Sequence, residues 1–336
     1  MRRETYVYDL LSRDGLALRR LEHVAPGGHL SGNVNAKIRW SGSITYTGTI
    51  TREQWYSYRI RPTLVVNGAE MPLGVYIVRP SQSAVTTTST VLTLDLYDRT
   101  FIPASDAVDD TFSIPAGAVV TDAVREILAS TGETNVAITR DATRLPSGLV
   151  WEPGTSKLTI INDLLASVGY SALWCDFTGA YRVSPYIPPS ARPVAHTFSE
   201  DSTSIHSPDL VRKQDALIPN KIVCISQETS DTPAMRAVAL NEDPTSPYSF
   251  QSQGVWVAET HTGCEAATQQ VLDATARRYL ASAVASATVQ RSMLTTPIDL
   301  ATAVTSREGK REVVENIDIT LTPASLMSIT SREVAS

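Results

Sequence analysis

Histidines are the side chains from which a metal site or an acid–base centre would most readily be built. The chain has five of them, and no two show the i, i+4 helical spacing that holds zinc beside a catalytic glutamate. Two lie in a Gly-rich turn, where a solvated loop histidine is the usual role. The sequence therefore predicts no catalytic residue and no metal ligand among His23, His29, His196, His206 and His261.

Paired carboxylates are the next candidates, because glycoside hydrolysis requires two carboxyl groups at a fixed separation across a sugar. Acidic residues cluster in three polar loops, at Asp106, Asp109 and Asp110, at Glu200 and Asp201, and at Glu242 and Asp243. The flanking Ser, Thr and Pro residues favour solvated charge. One function considered for this chain is therefore that of a carbohydrate-binding or carbohydrate-active β-rich module, which is the alternative to the structural role discussed below. Such a module would require a cleft with convergent acids of perturbed pKa.

Other motifs of common enzymes are absent from the sequence. It contains no G-x-S-x-G elbow, no Walker loop and no G-x-G-x-x-G. The Gly-rich PGGHLSGN enters a predicted strand rather than a helix, so it lacks the helix dipole that would hold a phosphate. Cys175, Cys224 and Cys264 are odd in number and widely spaced, which fits neither a disulfide framework nor a zinc site. We expect no cofactor and no enzymatic activity.

Charge and hydropathy exclude further classes of function. A net charge of −6 over 336 residues argues against a nucleic-acid-binding surface. No stretch approaches the roughly 20 apolar residues of a membrane helix. The N-terminal MRRETYVYDLLSRDG lacks the apolar segment of a signal peptide. We expect a chain that is made in the cytoplasm and does not insert into a membrane.

The stretch from Ala116 to Tyr186 is predicted to form a compact α/β unit around which the rest is organised. Its first helix carries Thr121 as a cap of the first turn and Gly132 as the C-terminal stop. The apolar face of this helix follows a period of 3.6 residues and consists of Val120, Val124, Ile127 and Leu128.

A second helix and a hairpin complete the predicted unit. Thr155 or Ser156 is its N-cap, and Gly169 ends it. Its apolar stripe consists of Leu158, Ile161, Leu164, Leu165 and Val168. Two short strands then flank a turn at Thr178-Gly179, and Cys175 on the first of them is expected to be buried.

Residues 4 to 100 are predicted to form strands and turns, with no helix before Val119. Asn67-Gly68 between two apolar runs is the strongest hairpin signal. Period-two alternation predicts two further strands. The first predicted strand has Ala36, Ile38 and Trp40 on one face. The second has Leu92, Leu94 and Leu96 on one face. The strand spacing favours a small closed or nearly closed antiparallel barrel.

The remainder is predicted to be a second, interrupted barrel. The prolines of IPPSARP mark a linker. Strand-like VAHTF and KIVCISQE follow, then a helix from about Gly263 to Ala283, and a closing segment with alternating Ile317, Ile319 and Leu321. The predicted fold class is mainly β with α/β insertions. Its domains are a first barrel at 1–103, an α/β insertion at 104–190, a split second barrel at 191–231 and 287–336, and a one-helix insertion at 232–286.

Several segments, taken in order along the chain, resemble the minor tail proteins of long-tailed, siphovirus-type phages of actinobacteria. No single motif is diagnostic, but their collinear order covers essentially the whole chain. These proteins are similar to the baseplate or tail-tip hub proteins of tailed phages. The segments are YDLLSRDG, SGNVNAKIRWSGS, RIRPTLVVNGAEMPLGVYIV, LVWEPGTSKLTIINDLLASVGYSALWCDFTGAYRVSPY, SIHSPDLVRKQDALIPNKIV and LTPASLMSITSREV.

The resemblance implies two tail-tube-like antiparallel β-barrels, two smaller inserted domains and a homotrimeric ring. It implies a structural role in the virion, at the distal end of the tail, where the ring continues the tube and forms part of the DNA ejection channel. The implied partners are other copies of the chain, the distal tail protein, the tape measure protein and other minor tail proteins of the tip or baseplate. Genomic DNA would pass through the lumen without specific binding.

Overall fold

The computed structural model describes residues 2–85, 90–139, 143–145, 147–199, 206–214, 218–228, 233–266, 268–284 and 287–334. Within these ranges the chain is mainly β, with antiparallel sheets and a few short helices. No helix in this part of the chain combines the length and apolar character that crossing a bilayer requires.

The described part of the first hundred residues forms eight strands and one 3₁₀-helix, at Gln54–Ser57. The strands are β1 (Glu4–Leu11), β2 (Ala17–Arg20), β3 (Gly28–Asn33), β4 (Trp40–Tyr46), β5 (Arg59–Val66), β6 (Ala69–Pro72), β7 (Tyr76–Val85) and β8 (Thr90–Asp98). β5 and β6 form the predicted hairpin, and Asn67 and Gly68 at its turn both have positive φ, +50° and +88°.

The central segment contains three helices and short strands. They are α1 (Phe101–Ser105), β9 (Phe112–Ile114), α2 (Val120–Ser130), β10 (Val136–Ile138), β11 (Leu149–Trp151), α3 (Lys157–Ser167), β12 (Trp174–Cys175) and β13 (Tyr181–Val183). A 3₁₀-helix at Pro189–Ala191 occupies the predicted linker, and β14 (Val194–Thr197) follows it.

The last part returns to β-structure with two further helices. Its elements are β15 (His206–Gln214), β16 (Lys221–Ser226), β17 (Arg236–Leu240), α4 (Phe250–Gln253), β18 (Ala258–Cys264), α5 (Gln269–Val284), β19 (Ala287–Leu294), β20 (Ala303–Thr305), β21 (Arg311–Leu321) and β22 (Leu326–Glu333).

Fourteen of the described strands form one sheet. Its main path runs β15-β19-β22-β21-β3-β4-β8-β7-β5-β1-β2, with β6 on β5, β20 on β21 and β14 on β20. The antiparallel pairing of β21 with β3, which sets Ile319 opposite Leu30, joins the C-terminal strands to the N-terminal ones. These pairings close no barrel among the described strands, so the two predicted barrels are not confirmed.

A single apolar core underlies this sheet. It takes residues from both ends of the chain, including Leu30, Ile44 and Leu94 from the first half and Ile317 and Ile329 from the second. The predicted inward face of Leu92, Leu94 and Leu96 is buried here. Close backbone approach is also required, because a Cβ on Gly42 would lie 2.2 Å from the carbonyl oxygen of His29. The two halves therefore share one core through the β21–β3 seam.

A second core belongs to the predicted α/β unit. The apolar faces of α2 and α3 are buried together, and the hairpin strands β12 and β13 add Cys175 and Tyr181. Ser156 caps α3 by accepting a hydrogen bond from the Thr159 backbone N–H. The predicted capping role of Thr121 is wrong, because helix α2 begins at Val120 and Thr121 is buried inside its first turn.

A third, smaller core lies between α5 and the three-stranded sheet β17-β16-β18. Lys221–Ser226 pairs there with β17 and β18, whereas the sequence prediction grouped it with the second barrel. The predicted helix start near Gly263 is also wrong. Residues Ala258–Cys264 pair with β16 as a strand, and α5 begins at Gln269.

Two further predictions for the first half are wrong. Helical turns do occur before Val119, at Gln54–Ser57 and in α1. Trp40 begins β4, whereas residues 34–39 form turns and bends rather than an alternating strand. The Asn33 side chain explains this, because it accepts a hydrogen bond from the backbone N–H of Asn35 and so turns the chain.

Candidate functional site

The histidines lie on separate elements, and the prediction that His29 sits in a Gly-rich turn is wrong, because Gly28–Asn33 forms strand β3. His29 is on β3 with its ring 3.2 Å from the Ser43 hydroxyl, and His196 on β14 packs edge-on against Phe198. His261 on β18 stacks on Tyr279 with ring centroids 3.9 Å apart. His23 has positive φ in a loop, and the backbone of His206 lies in β15.

Three acids of the predicted carboxylate clusters bond to groups close to them in the structure. Asp106 pairs with Lys157 at 2.7 Å, and Asp110 accepts a hydrogen bond from the Thr111 backbone. Asp243 accepts hydrogen bonds from the backbone and side chain of Thr245, and these lower the pKa of its carboxyl. Glu200 and Asp201 lie outside the described residues. In the described part of the chain, no group of three or more His, Cys, Asp and Glu side chains could hold a metal ion.

A buried ion pair joins strands in the C-terminal part of the large sheet. Arg291 on β19 makes two hydrogen bonds to the Glu312 carboxylate on β21, and the Ser331 hydroxyl on β22 bonds to the same carboxylate. The Arg291 guanidinium also lies 4.8 Å from the Phe198 ring centroid. A buried pair of this kind tolerates little change, because removing one partner leaves an uncompensated charge. The trio fixes the order β19-β22-β21.

A second polar joint lies where the sheet meets the central unit. Asp98 at the end of β8 accepts hydrogen bonds from the backbone N–H groups of Trp40, at 2.8 Å, and Thr100, at 2.7 Å. Burial raises the pKa of the Asp98 carboxyl, and these hydrogen bonds oppose the shift. Burial also raises the pKa of Asp299 to about 6, although a Leu300 backbone N–H and the Trp40 side chain bond to it. Both carboxyls act as structural anchors.

The surface feature that could carry a function is the pair of sheet ends. Among the described strands, the main path ends at β2 on one side and at β15 on the other. Both strands present apolar side chains to solvent, with Leu18 52% and Leu210 45% exposed. We call them the β2 edge and the β15 edge. Long unpaired edges with exposed apolar residues are templates for pairing with another chain.

Sequence reasoning missed this feature. β2 and β15 are visible as short extended segments, but only the pairing of distant strands makes them the two ends of one sheet. The same limit applies to the polar joints, since Arg291 and Ser331 are 40 residues apart. No local sequence signal identifies either.

Comparison with known proteins finds similar solved structures, whereas no protein-family model and no curated protein matches the sequence. The tail protein from Neisseria meningitidis MC58 has a TM-score of 0.66 at 12% identity, covering 99% of this chain and 97% of that one. The 43 kDa tail protein of prophage MuSo2 from Shewanella oneidensis has a TM-score of 0.64 at 10% identity, covering 99% of both chains.

A third similar structure comes from E. coli. That protein is a component of the type VI secretion system, with structural similarity to the T4 bacteriophage tail proteins gp27 and gp5. Its TM-score is 0.57 at 11% identity, covering 97% of this chain and 77% of that one. The chain described here thus has, from end to end, the fold of these phage tail and tail-like proteins.

Proposed function

We propose that this chain is a structural protein of a phage tail tip, where it acts as the baseplate hub. It continues the tail tube distally, joins the tube and the distal tail protein to tip proteins, and forms part of the DNA ejection channel. The observation that carries this proposal is the end-to-end fold similarity to two bacterial and prophage tail proteins. The similarity of the E. coli protein to gp27 and gp5 supports the tip as the location within the tail.

In the proposed assembly three copies form a closed ring around the tube axis. Each copy contributes two tube-like walls, one from each half of the large sheet, so that three copies match a sixfold tube. The domain limits that we propose are those predicted from the sequence, with Lys221–Ser226 moved to the smaller insertion because of its pairing. The tape measure protein and other minor tail proteins would contact the ring above and below.

The two sheet edges provide the contact between copies. A ring requires a heterologous interface, in which one surface of a subunit meets a different surface of the next. The β2 edge and the β15 edge lie at opposite ends of one sheet and both expose apolar side chains. We therefore place the β2 edge of one copy against the β15 edge of its neighbour.

A cysteine pair tests this arrangement. Leu18→Cys together with Leu210→Cys puts one thiol on each edge, and oxidation of tail particles that have incorporated the double variant should cross-link chains up to three and no further. Each single variant is the matched control and should give no cross-linked product, because its introduced thiol would face an edge of the neighbouring copy that carries no introduced thiol. Ladders reaching six chains, or cross-linking in either single variant, would contradict the trimeric ring.

A further inference from the structure

A cavity of about 520 Å³ lies between the first half of the sheet and helix α1. Three of its lining residues are arginines that come from the loop after β1, from β5 and from β7. Two aromatic rings and two serines also line it. The arginines are Arg13, Arg59 and Arg79, and the aromatic rings belong to Tyr56 and Phe101.

Arg59 is the most unusual of these side chains, because it is only 6% exposed. Its guanidinium donates to the backbone carbonyl of Tyr58 at 3.4 Å, and no carboxylate among the described residues lies within ion-pair distance. Burial lowers the pKa of the Arg59 guanidinium, partly opposed by Glu133. A desolvated cation without a paired anion destabilises the folded state. Among the described residues, this wall of the cavity therefore holds a buried cation that has no ion-pair partner.

Arg79 stands between the two aromatic walls. Its guanidinium carbon lies 5.5 Å from the Tyr56 ring centroid and 5.3 Å from that of Phe101. One of its N–H groups donates to the Val78 backbone carbonyl at 3.0 Å. Cation–π contacts hold a guanidinium in place without satisfying its hydrogen-bond donors. Arg79 is therefore positioned with donors to spare.

Negative charge near the cavity is already neutralised. Asp106 is the only acid among the lining residues, and its carboxylate lies 2.7 Å from the Lys157 ammonium. Glu133, the acid that acts on Arg59, forms a buried ion pair with Arg99. Three arginines consequently share one cavity on a chain whose net charge is −6. Such a concentration of positive charge in a concave site favours an anion.

We propose that this cavity binds a phosphate group or another tetrahedral oxyanion. Arginine donors from three separate elements suit an ion that accepts hydrogen bonds in several directions, whereas a planar carboxylate is satisfied by one guanidinium. The hydroxyls of Ser57 and Ser105 add donors at the rim, and the Tyr56 and Phe101 rings provide apolar walls for the rest of a phosphorylated ligand. The proposal does not depend on the assembly proposed above.

Calorimetric titration of the full chain with inorganic phosphate tests the site, with sodium acetate at equal ionic strength as the comparison. Phosphate should bind saturably and raise the melting temperature as its concentration rises. Arg13→Gln changes the rim of the cavity, and Arg79→Gln removes the guanidinium that lies between the two aromatic rings. Each variant should weaken phosphate binding by about tenfold or more, which is the effect of losing one charge-assisted hydrogen bond.

Arg19→Gln is the matched control, since it removes the same charge from the exposed strand β2 and should leave phosphate affinity unchanged. Arg59→Gln should abolish binding if the variant folds, as checked by circular dichroism. Absence of saturable phosphate binding to the wild type would overturn the proposal. The proposal would also be overturned if Arg13→Gln and Arg19→Gln weakened phosphate binding equally, or if acetate bound as tightly as phosphate.

Discussion

Asp299 is the residue through which pH should affect the stability of this protein most directly. Burial raises the pKa of its carboxyl to about 6, compared with about 4 in an unfolded chain. Between these values the folded state holds a proton that the unfolded state has lost. The free energy of unfolding therefore falls as pH rises from about 4 through 6, and this contribution is fully present only below about pH 4.

Urea unfolding of wild type and Asp299→Asn at several pH values between 4 and 8 measures this contribution. The asparagine keeps an acceptor oxygen for the Leu300 backbone N–H but cannot ionise. We expect the wild type to lose on the order of 1 to 2 kcal/mol more than the variant over this range. Parallel pH curves for the two proteins would show that the Asp299 carboxyl is not perturbed by burial.

Residue roles were predictable from the sequence only where the cause is local. Burial of Cys175 followed from its apolar strand, and the turn at Asn67-Gly68 followed from residues that adopt positive φ. The role of Asp98 was not predictable, because its hydrogen-bond donor Trp40 is 58 residues away. The arginine-lined cavity was missed for the same reason, as Arg13, Arg59 and Arg79 are brought together only by strand pairing.

At the scale of elements, helix α3 should hold the core of the central unit. Leu164 is fully buried there, so Leu164→Asp would bury an unpaired carboxylate at a cost on the order of several kcal/mol. Limited proteolysis read out by mass spectrometry should show cleavage within 104–190. The first hundred residues should stay protected, because their buried residues belong to a different core.

Val150→Asp is the matched control for this variant. Val150 lies in the same unit on β11 but is 62% exposed, so the same substitution should leave the proteolysis pattern unchanged. Equal protection of the wild type and Leu164→Asp would mean that the α3 face is not part of a packed core.

Elements were predictable where periodicity was long and unambiguous. The stripes of α2 and α3 each cover about three turns, and both helices are present as predicted. Shorter signals failed. Residues 36–40 alternate in hydrophobicity, yet the Asn33 side chain turns the backbone and β4 begins only at Trp40. Thr121 resembles a cap, but it lies at the second position of the helix, which begins at Val120 with Val119 as its N-cap.

At the scale of the whole molecule, the β21–β3 seam is the feature that no local pattern could indicate. It pairs Asn316 with Asn33 and Leu321 with Gly28, so strands from opposite ends of the chain lie side by side in one sheet. The sequence predicted a mainly β chain with α/β insertions, and its mainly β character is confirmed, with antiparallel sheets and a few helices. Sequence patterns indicated strands in both halves, but they did not indicate that the halves share one sheet and one core.

The charge of the proposed channel follows from its cargo. Genomic DNA would pass through the ring, and B-DNA needs roughly 20 Å of clearance. Lysines and arginines on the wall would bind phosphates and slow ejection. With a net charge of −6 per copy, we expect the lumen-facing side chains to be acidic or neutral in sum. The measurement is a census of lumen-facing charges in the assembled ring, and a clear excess of Lys and Arg would refute the expectation.

The number of copies at the tail tip tests the central proposal most directly. A cryo-electron microscopy reconstruction of tails carrying this chain, refined without imposed symmetry, would count the copies and locate them relative to the tube. The proposal predicts three copies in a closed ring at the distal end of the tube, with two tube-like walls per copy. Six copies in the ring, one such wall per copy, or a position away from the tube axis would contradict it.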